Sequence, residues 1–329
     1  MTPSPTRRGW TVLGVVLFAF AMGWGFGGRS LNAVVVPGIV AFALAGLGVW
    51  RVDRPTVERS VPEHGHRGES VTVGLAVESD LPMPATVTDV LPDGLAGDAT
   101  RATVLDGRRH EYAVDLRERG VHRIAGPRVA VTDPLGLWRR QFERTVTDRI
   151  TVFPRVRPLG RGAPEIGGVL ADTDVREHFD GVREYVPGDP LRDVNWKTSA
   201  KRPHDLFVTE YAGTGESRSV TVGVTASEGH VDDAAEAAAS VAVHLLDAGA
   251  TVGVVGPNGE VEPAVGEPHR RRVLSLLATL DAGAVPDDRR DDVDVLVSAT
   301  DADATQVVVG GDRRSFEDLA GRRQAGVPA

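Results

Sequence analysis

The sequence predicts two N-terminal transmembrane helices, then an antiparallel β-sandwich, then an α/β domain with a parallel sheet. Two long runs without charge, at residues 10–28 and 30–50, begin the chain. Apolar and polar residues then alternate over residues 56–156, and the last third alternates short apolar strands with helical segments. These three patterns are typical of membrane helices, half-buried strands and strand–helix–strand units.

The predicted boundaries follow these changes of pattern. The hairpin covers residues 1–54, with helices at about 10–28 and 30–50, and the β-sandwich covers residues 55–157. A segment without clear periodicity, at 158–215, joins the sandwich to the α/β domain at 216–318. Residues 319–329 are predicted to form a frayed tail.

Each uncharged run is long enough to cross a bilayer, and only Arg29 separates the two. Arg7 and Arg8 precede the first helix, and Arg51 and Arg54 follow the second. The positive-inside rule therefore predicts a cell-membrane protein whose termini and soluble body lie in the cytoplasm. Two other interpretations stay open: a pair of buried core helices, and an export leader that resembles a twin-arginine signal.

The predicted sandwich has apolar residues at every second position of its strands. Residues 71–77 and 112–116 follow this pattern, and turn-forming residues recur between such runs, as at 133–136. Strands with one apolar and one polar face are typical of antiparallel sheets that pack on one side.

The α/β region begins with an apolar strand at 220–224. Asp232 and Asp233 open the helix that follows, and Gly249 ends it. The further predicted elements are strands at 251–255, 293–297 and 306–309 and a helix at 268–280.

Composition excludes several classes of function. The chain has no cysteine, which rules out disulfides, cysteine-ligated zinc and thiol catalysis. Its net charge is −9 although residues 1–54 carry +4, so the rest of the chain is strongly acidic. Because a nucleic acid is itself negatively charged, it is not expected as a partner. Lys197 and Lys201 are the only lysines in an aspartate-rich chain, a composition that indicates a salt-loving source such as a halophilic archaeon.

The segment at 181–210 carries the densest motif. Asp189 suits the N-cap of a short helix that begins at Pro190, and Arg192 and Trp196 then share one face of that helix. Charges of both signs alternate along the segment. Two interpretations fit this pattern: a salt-bridged structural link between the domains, and a docking or ligand site.

This segment resembles the signature of the domain-of-unknown-function 58 family, roughly R-E-Y-x-x-G-D-x-x-R-x-[IV]-x-W-x-x-[ST]-A followed by a leucine strand and a glutamate. Residues 119–121, 133–137 and 152–154 and the paired N-terminal helices are also similar to that family, so the resemblance covers about residues 10–255. The signature residues, which are our candidate interaction residues, are Arg183, Glu184, Tyr185, Gly188, Asp189, Arg192, Trp196, Ser199 and Glu210.

The resemblance implies a β-sandwich before a von Willebrand factor A-like domain and a functional link to MoxR-type AAA ATPases. It implies no catalytic activity. We therefore expect a membrane-anchored scaffold or adaptor, without a cofactor, that works with such an ATPase in the assembly or maturation of other proteins. The alternative is an enzyme of an unrecognised type that uses Asp189 and Arg192. No G-x-x-x-x-G-K-[ST] phosphate-binding loop occurs in the chain.

A metal site is not expected in the α/β domain. Von Willebrand factor A-like domains often hold Mg²⁺ with a D-x-S-x-S motif after their first strand. The corresponding positions here are Thr225, Ser227 and Gly229, so only the middle serine of that motif is present.

Overall fold

The computed structural model describes residues 2–26, 32–144, 147–160, 179–184, 207–211, 219–300 and 303–320. The chain divides into two compact units, residues 1–153 and 154–329. The first unit contains two long helices and a β domain. The second unit contains a six-stranded mixed sheet with helices and a separate pair of strands.

The first unit begins with a short strand β1 (Ser4–Pro5), helix α1 (Arg7–Phe26) and helix α2 (Asn32–Arg51). Both helices are apolar and long enough to cross a membrane, as the sequence predicts. They contact each other through Val16, Ala19 and Val35. Most of their other apolar side chains are exposed, which is not the environment of a core helix.

The rest of the first unit is made of strands. These are β2 (Thr56–Ser60), β3 (His64–His66), β4 (Ser70–Glu78), β5 (Pro84–Thr88), β6 (Leu95–Ala96), β7 (Thr100–Val104), β8 (Asp106–Leu116), β9 (Gly120–Ile124), β10 (Arg128–Thr132), β11 (Trp138–Glu143) and β12 (Asp148–Phe153). The strand orders are β2-β4-β8-β6, β1-β11-β10-β5-β7 and β3-β12-β9. Strand β3 pairs in parallel with β12, and every other pairing in these sheets is antiparallel. The antiparallel pairings confirm the predicted antiparallel strands.

All three sheets of the β domain contribute to one hydrophobic core. The alternating residues of the sequence pattern point into it, as Val73 and Leu75 do on β4 and Val114 does on β8. Val129 on β10 and Ile150 on β12 belong to the same core. The predicted sandwich is thus built from three sheets around one core.

A buried arginine connects the three sheets. The side chain of Arg59, on β2, is 1% exposed. Its Nη1 donates to Asp89 Oδ1 at 2.9 Å, and its Nε donates to Asp148 Oδ2 at 2.6 Å. The guanidinium also donates to the carbonyl oxygens of Ile124 (3.0 Å) and Ala125 (2.8 Å). Asp89 follows β5, Ile124 and Ala125 lie at and just after the end of β9, and Asp148 begins β12. Because Arg59 itself lies on β2, its side chain connects parts of all three sheets.

Tyr112 on β8 completes what we call the Arg59 cluster (Arg59, Asp89, Tyr112 and Asp148). Its hydroxyl donates to Asp89 Oδ2. Burial, and after it the hydrogen bond to Asp89, raises the pKa of Tyr112 well above its usual value of about 10. Ionisation of Tyr112 therefore does not change the free energy of unfolding while the pH is below the pKa that Tyr112 has in the unfolded chain. As the pH rises from there towards the pKa of Tyr112 in the folded chain, the free energy of unfolding falls.

The second unit holds the remaining elements. Its strands are β13 (Phe179–Glu184), β14 (Phe207–Tyr211), β15 (Ser219–Ala226), β16 (Thr251–Gly256), β17 (Gly259–Ala264), β18 (Val295–Thr300), β19 (Asp303–Val309) and β20 (Asp312–Ser315). Its helices are α3 (Val231–Asp247), α4 (Glu267–Ala278) and α5 (Phe316–Leu319), with a 3₁₀ helix at Asp287–Asp292.

The main sheet of this unit has the order β17-β16-β15-β18-β19-β20. Strand β15 pairs in parallel with β16 on one side and with β18 on the other. Strands β17, β19 and β20 pair antiparallel with their neighbours. The prediction of a parallel sheet is therefore correct for β16, β15 and β18 and wrong for β17, β19 and β20. Strand β19 begins three residues after β18 ends, which is too short for the crossover that a parallel strand needs.

Helix α3 covers the central strands and has the predicted ends. Asp232 and Asp233 lie in its first turn. Gly249 follows it with φ of +87°, and the amide of Ala250 donates back to the carbonyl oxygen of Leu245 at 3.0 Å. The buried face of the helix includes the predicted residues Ala234, Ala238, Val241 and Leu245.

The beginning of the second unit is fixed to its helices by Arg157. The backbone amide of Arg157 donates to Ser240 Oγ on α3 at 2.9 Å. Its guanidinium makes two hydrogen bonds, of 2.7 and 3.1 Å, to the carboxylate of Glu317 on α5, and these raise the pKa of Arg157. Residue 157, the end of the predicted sandwich, therefore packs within the second unit. Leu319, the first residue of the predicted tail, is buried at the end of α5.

We predict that Asp89→Ala destabilises the chain by about 3–5 kcal/mol, because Arg59 then stays buried without its fully buried carboxylate partner. The matched control is Asp98→Ala. Asp98 pairs with Arg101 at 3.0 Å on the surface, where such a pair contributes about 0–1 kcal/mol. Urea unfolding of the full chain in detergent, followed by near-ultraviolet circular dichroism, measures both. Equal losses for the two variants would contradict this role of the Arg59 cluster.

Candidate functional site

The two ends of the signature segment are paired strands. Strands β13 and β14 run antiparallel, with Gly181 opposite Glu210 and Arg183 opposite Val208. Glu184 ends β13. The structure thus brings Glu210 onto the same two-stranded sheet as Arg183 and Glu184, although Glu210 is distant from them in sequence.

The other candidate residues lie outside the described part of the chain. These are Tyr185, Gly188, Asp189, Arg192, Trp196 and Ser199. The N-cap at Asp189 and the shared helix face of Arg192 and Trp196 therefore stay predictions.

The loop after β15, at the degenerate metal motif, is held by hydrogen bonds to β18 and to the segment before β18. The amide of Ser227 donates to the carbonyl oxygen of Ala299 at 2.9 Å. Thr225 Oγ1 accepts a hydrogen bond from the amide of Val285 at 3.3 Å. Gly229 has φ of +92°, a conformation that a serine at this position would strain to adopt. The described residues contain no group of three or more His, Asp or Glu side chains that could hold a metal ion.

A cavity of about 330 Å³ lies beside β15 and β18. Thr225 and Ser298 line it from the strands, and Val285, Arg290 and Val293 line it from the segment before β18. Strand β15 lies between β16 and β18, so the strand order reverses beside β15. α/β sheets commonly bind ligands where the strand order reverses. The lining residues provide hydroxyls and a guanidinium but no carboxylate or imidazole that could act as a general base.

The start of the hairpin is attached to the turn between β10 and β11. The amide of Thr6 donates to the carbonyl oxygen of Leu137 at 2.8 Å, and its hydroxyl donates to that of Gly136 at 2.5 Å. The same hydroxyl accepts a hydrogen bond from the amide of Gly9 at 3.0 Å and so caps α1. This cap explains why α1 begins at Arg7, earlier than predicted.

Asp133 gives this turn its shape. Its buried carboxylate accepts hydrogen bonds from the backbone amides of Leu135 at 2.8 Å and Trp138 at 2.6 Å. Aspartate commonly forms such bonds to amides that follow it in a turn. The turn predicted at 133–136 is confirmed, and its bonds direct β11 back along β10.

The second half of α2 and the residue after it are attached to strand β11 itself. Trp138 Nε1 donates to the carbonyl oxygen of Phe42 at 3.0 Å, and the two ring centroids are 5.0 Å apart. Arg140 Nη1 donates to the carbonyl oxygens of Trp50 and Val52, both at 2.9 Å. Val52 is also part of the β-domain core. Both ends of the hairpin therefore meet one strand, and we call this region the hairpin base (Thr6, Gly9, Val52, Trp138 and Arg140).

The sequence reasoning missed three residues of the hairpin base. A threonine directly before an apolar helix is an N-cap signal, and it could have identified Thr6. Trp138 and Arg140 have no such signal, because their acceptors are carbonyl oxygens about 90 residues away in the chain.

These features define a chain with an apolar helical hairpin, a β domain attached to it and an α/β unit that carries the signature strands. The family model described as "Protein of unknown function DUF58" matches residues 181–319, from β13 to the end of α5. Residues 181–319 of the chain therefore match the DUF58 family. The family-model match extends to residue 319, further towards the C-terminus than residue 255, where the expected resemblance ends.

A curated relative covers more of the chain. The uncharacterized protein YeaD of Bacillus subtilis (strain 168) is 25% identical over 268 residues, with 75% of this chain and 67% of YeaD covered. Solved structures give only weak likenesses. The PKD domain of an M14-like peptidase from Thermoplasmatales archaeon SCGC AB-540-F20 is 15% identical, with 31% of this chain and 94% of that domain covered and a TM-score of 0.23. The SrpA adhesin of Streptococcus sanguinis is 12% identical, with 41% and 82% covered and a TM-score of 0.23. Scores this low carry no conclusion.

We predict that Gly9→Ala loosens the hairpin base. A Cβ atom at Gly9 would lie 2.1 Å from the carbonyl oxygen of Leu137, so the backbone must move, at a cost of about 1–3 kcal/mol. Gly14→Ala is the matched control in the same helix, where an added Cβ has no neighbour within 4 Å. Hydrogen exchange of the Thr6 amide measures the effect. Unchanged protection in Gly9→Ala would argue against the attachment.

Proposed function

We propose that this chain is a membrane-anchored scaffold or adaptor that works with a separate MoxR-type AAA ATPase in the assembly or maturation of other proteins. Helices α1 and α2 both cross the cell membrane, and the β domain and the α/β unit lie in the cytoplasm. The chain itself performs no catalysis and needs no cofactor.

The observation that carries the anchoring half of this proposal is the attachment of both hairpin ends to β11. Attachment of both ends to one strand keeps the N-terminus and the body on the same side, as two crossings require. The exposed apolar side chains along α1 and α2 support a lipid environment, because a surface this apolar aggregates in water. The bonds of Thr6 to the β10–β11 turn favour a helix that is kept over a leader that is removed.

The distribution of arginines supports a cytoplasmic body. Arg7 and Arg8 lie at the attached end of α1, and Arg51 and Arg54 lie at the attached end of α2 or just after it. The connection between the helices carries Arg29 alone. Excess positive charge on the attached side is the arrangement that the positive-inside rule associates with the cytoplasm.

The fold of the second unit supports an adaptor more than an enzyme. The parallel centre of its sheet fits a von Willebrand factor A-like domain, and Thr225 and Gly229 replace the oxygen ligands that such domains use for Mg²⁺. The cavity beside β15 and β18 has no general base among its lining residues. The enzyme alternative depends on Asp189 and Arg192, and no described contact favours it. The link to a MoxR-type ATPase comes from the family resemblance.

We predict that the connection between α1 and α2 lies outside the cell and that the α/β unit lies inside it. Labelling of single introduced cysteines tests this topology, because the chain has no cysteine of its own to react. Ser30→Cys lies between the helices and should react with a membrane-impermeant maleimide in intact cells. Val265→Cys, at an exposed position of the α/β unit, should react only after permeabilisation. The reverse pattern would contradict a cytoplasmic body. Release of the full chain from membranes by alkaline carbonate would contradict anchoring.

We predict that the signature captures the ATPase. Trp196→Ala removes a large aromatic side chain of the type that dominates interfaces, and should weaken capture of the cognate MoxR-type ATPase about 30-fold or more. Arg192→Lys keeps the charge but loses the forked donor geometry, and should weaken it less. Arg271→Lys, at an exposed position of α4, is the matched control and should capture normally. Pull-downs with melting curves test this. Undiminished capture by folded Trp196→Ala and Arg192→Lys would remove the docking proposal.

A further inference from the structure

Two turns of the β domain lie against the hairpin, and each exposes a leucine. Leu135, in the turn bonded to Thr6, is 59% exposed. Leu81 lies in the connection between β4 and β5 and is 41% exposed. In that connection, Met83 Cε lies 3.5 Å from where a Cβ on Gly48 would stand, next to the last turn of α2. One exposed leucine thus lies beside the start of α1 and the other beside the end of α2.

Unpaired arginines surround the same place. Arg139 lies opposite Ser4 in the β1–β11 pairing, and its side chain is exposed. The exposed arginines of the attached hairpin ends are Arg7, Arg8, Arg51 and Arg54. Within the described residues, none of these five side chains forms an ion pair. Such a cluster is unusual in a chain with a net charge of −9.

The chemistry of this surface matches the interfacial region of a bilayer. Guanidinium groups bind phosphate in a forked geometry, and each cation close to an anionic leaflet is attracted to it. Indole rings favour the headgroup level, and Trp10 and Trp50, both 62% exposed, lie within a turn of the hairpin ends. The exposed Leu135 and Leu81 are apolar side chains of the kind that enter the boundary between headgroups and acyl chains. The surface is also continuous with two helices of membrane-spanning length.

We propose that the β domain docks on the membrane: Leu135 and Leu81 enter the interface, and Arg139, with the hairpin arginines, binds the phosphate headgroups of anionic lipids. This inference rests on the proposed anchoring of the hairpin and goes beyond it. It adds a second contact with the leaflet, made by turns of the β domain. That contact fixes the domain against the membrane surface.

Single-cysteine variants of the full chain in anionic liposomes test the apolar contact. An environment-sensitive probe on Leu135→Cys should lose most of its fluorescence to a lipid quencher placed just below the headgroups. Val121→Cys is the control, because Val121 is exposed to a similar degree on β9, which pairs with β12 and not with β11. Its probe should keep most of its fluorescence.

The preference for anionic lipid tests the arginines. Spin-labelled phosphatidylglycerol and phosphatidylcholine are compared for association with the wild type and with Arg139→Gln. Loss of one cation near an anionic leaflet should lower the preference for phosphatidylglycerol by up to about fivefold. Arg313→Gln, at an exposed position of β20, is the matched control and should leave it unchanged.

The outcomes separate this inference from the proposed anchoring. Equal quenching at positions 135 and 121, in a chain that resists carbonate extraction, overturns the docking and leaves the anchoring intact. An unchanged lipid preference in Arg139→Gln overturns the role of the arginines. Extraction of the wild type by carbonate overturns the anchoring, and the docking with it.

Discussion

Each N–H group of a guanidinium that leaves water needs an acceptor, and Arg59 finds its acceptors in parts of the β domain that are distant in sequence. Desolvating such a charge costs several kcal/mol, so the ion is tolerated only where the acceptor geometry is good. Asp89 and Asp148 provide carboxylates, and Ile124 and Ala125 provide carbonyl oxygens. A shift of any one sheet would leave a buried donor unsatisfied. The cluster therefore fixes the sheets, including the one that contains β11, to which the hairpin is attached.

The hydrogen bonds of the hairpin base differ between the start of α1 and the end of α2. A helix N-terminus has amides without partners, and a C-terminus has carbonyl oxygens without partners. At the start of α1, the hydroxyl of Thr6 acts as the acceptor. At the end of α2, Arg140 acts as the donor, and its positive charge also suits the negative end of the helix dipole. The hairpin base thus provides an acceptor at one helix end and a donor at the other, so it also stabilises the two helices.

Local patterns were sufficient to predict much of the fold. The uncharged runs predicted α1 and α2, the alternation at 71–77 predicted β4, and Gly249 predicted the end of α3. The Arg59 cluster was not predictable in this way, because Arg59 and Asp148 are 89 positions apart and nothing local distinguishes a buried arginine from a surface one. The antiparallel direction of β19 follows from the short connection between β18 and β19, which the pattern of apolar strands alone does not indicate. In the candidate site, the spacing of the signature identified its residues, but the pairing of its ends needed the structure.

The two faces of the α/β sheet differ in what packs against them. Val222 and Val224 are buried on the face that α3 covers. On the other face, a Cβ at Gly223 would lie 2.8 Å from Val293, so the segment before β18 packs directly on the sheet. Beyond that contact the cavity opens, and its polar groups are hydroxyls and the guanidinium of Arg290. Such groups can orient an anionic or neutral ligand, but none of them can take a proton from water near neutral pH. A sheet packed in this way is a rigid frame, which is the property that the proposed adaptor needs.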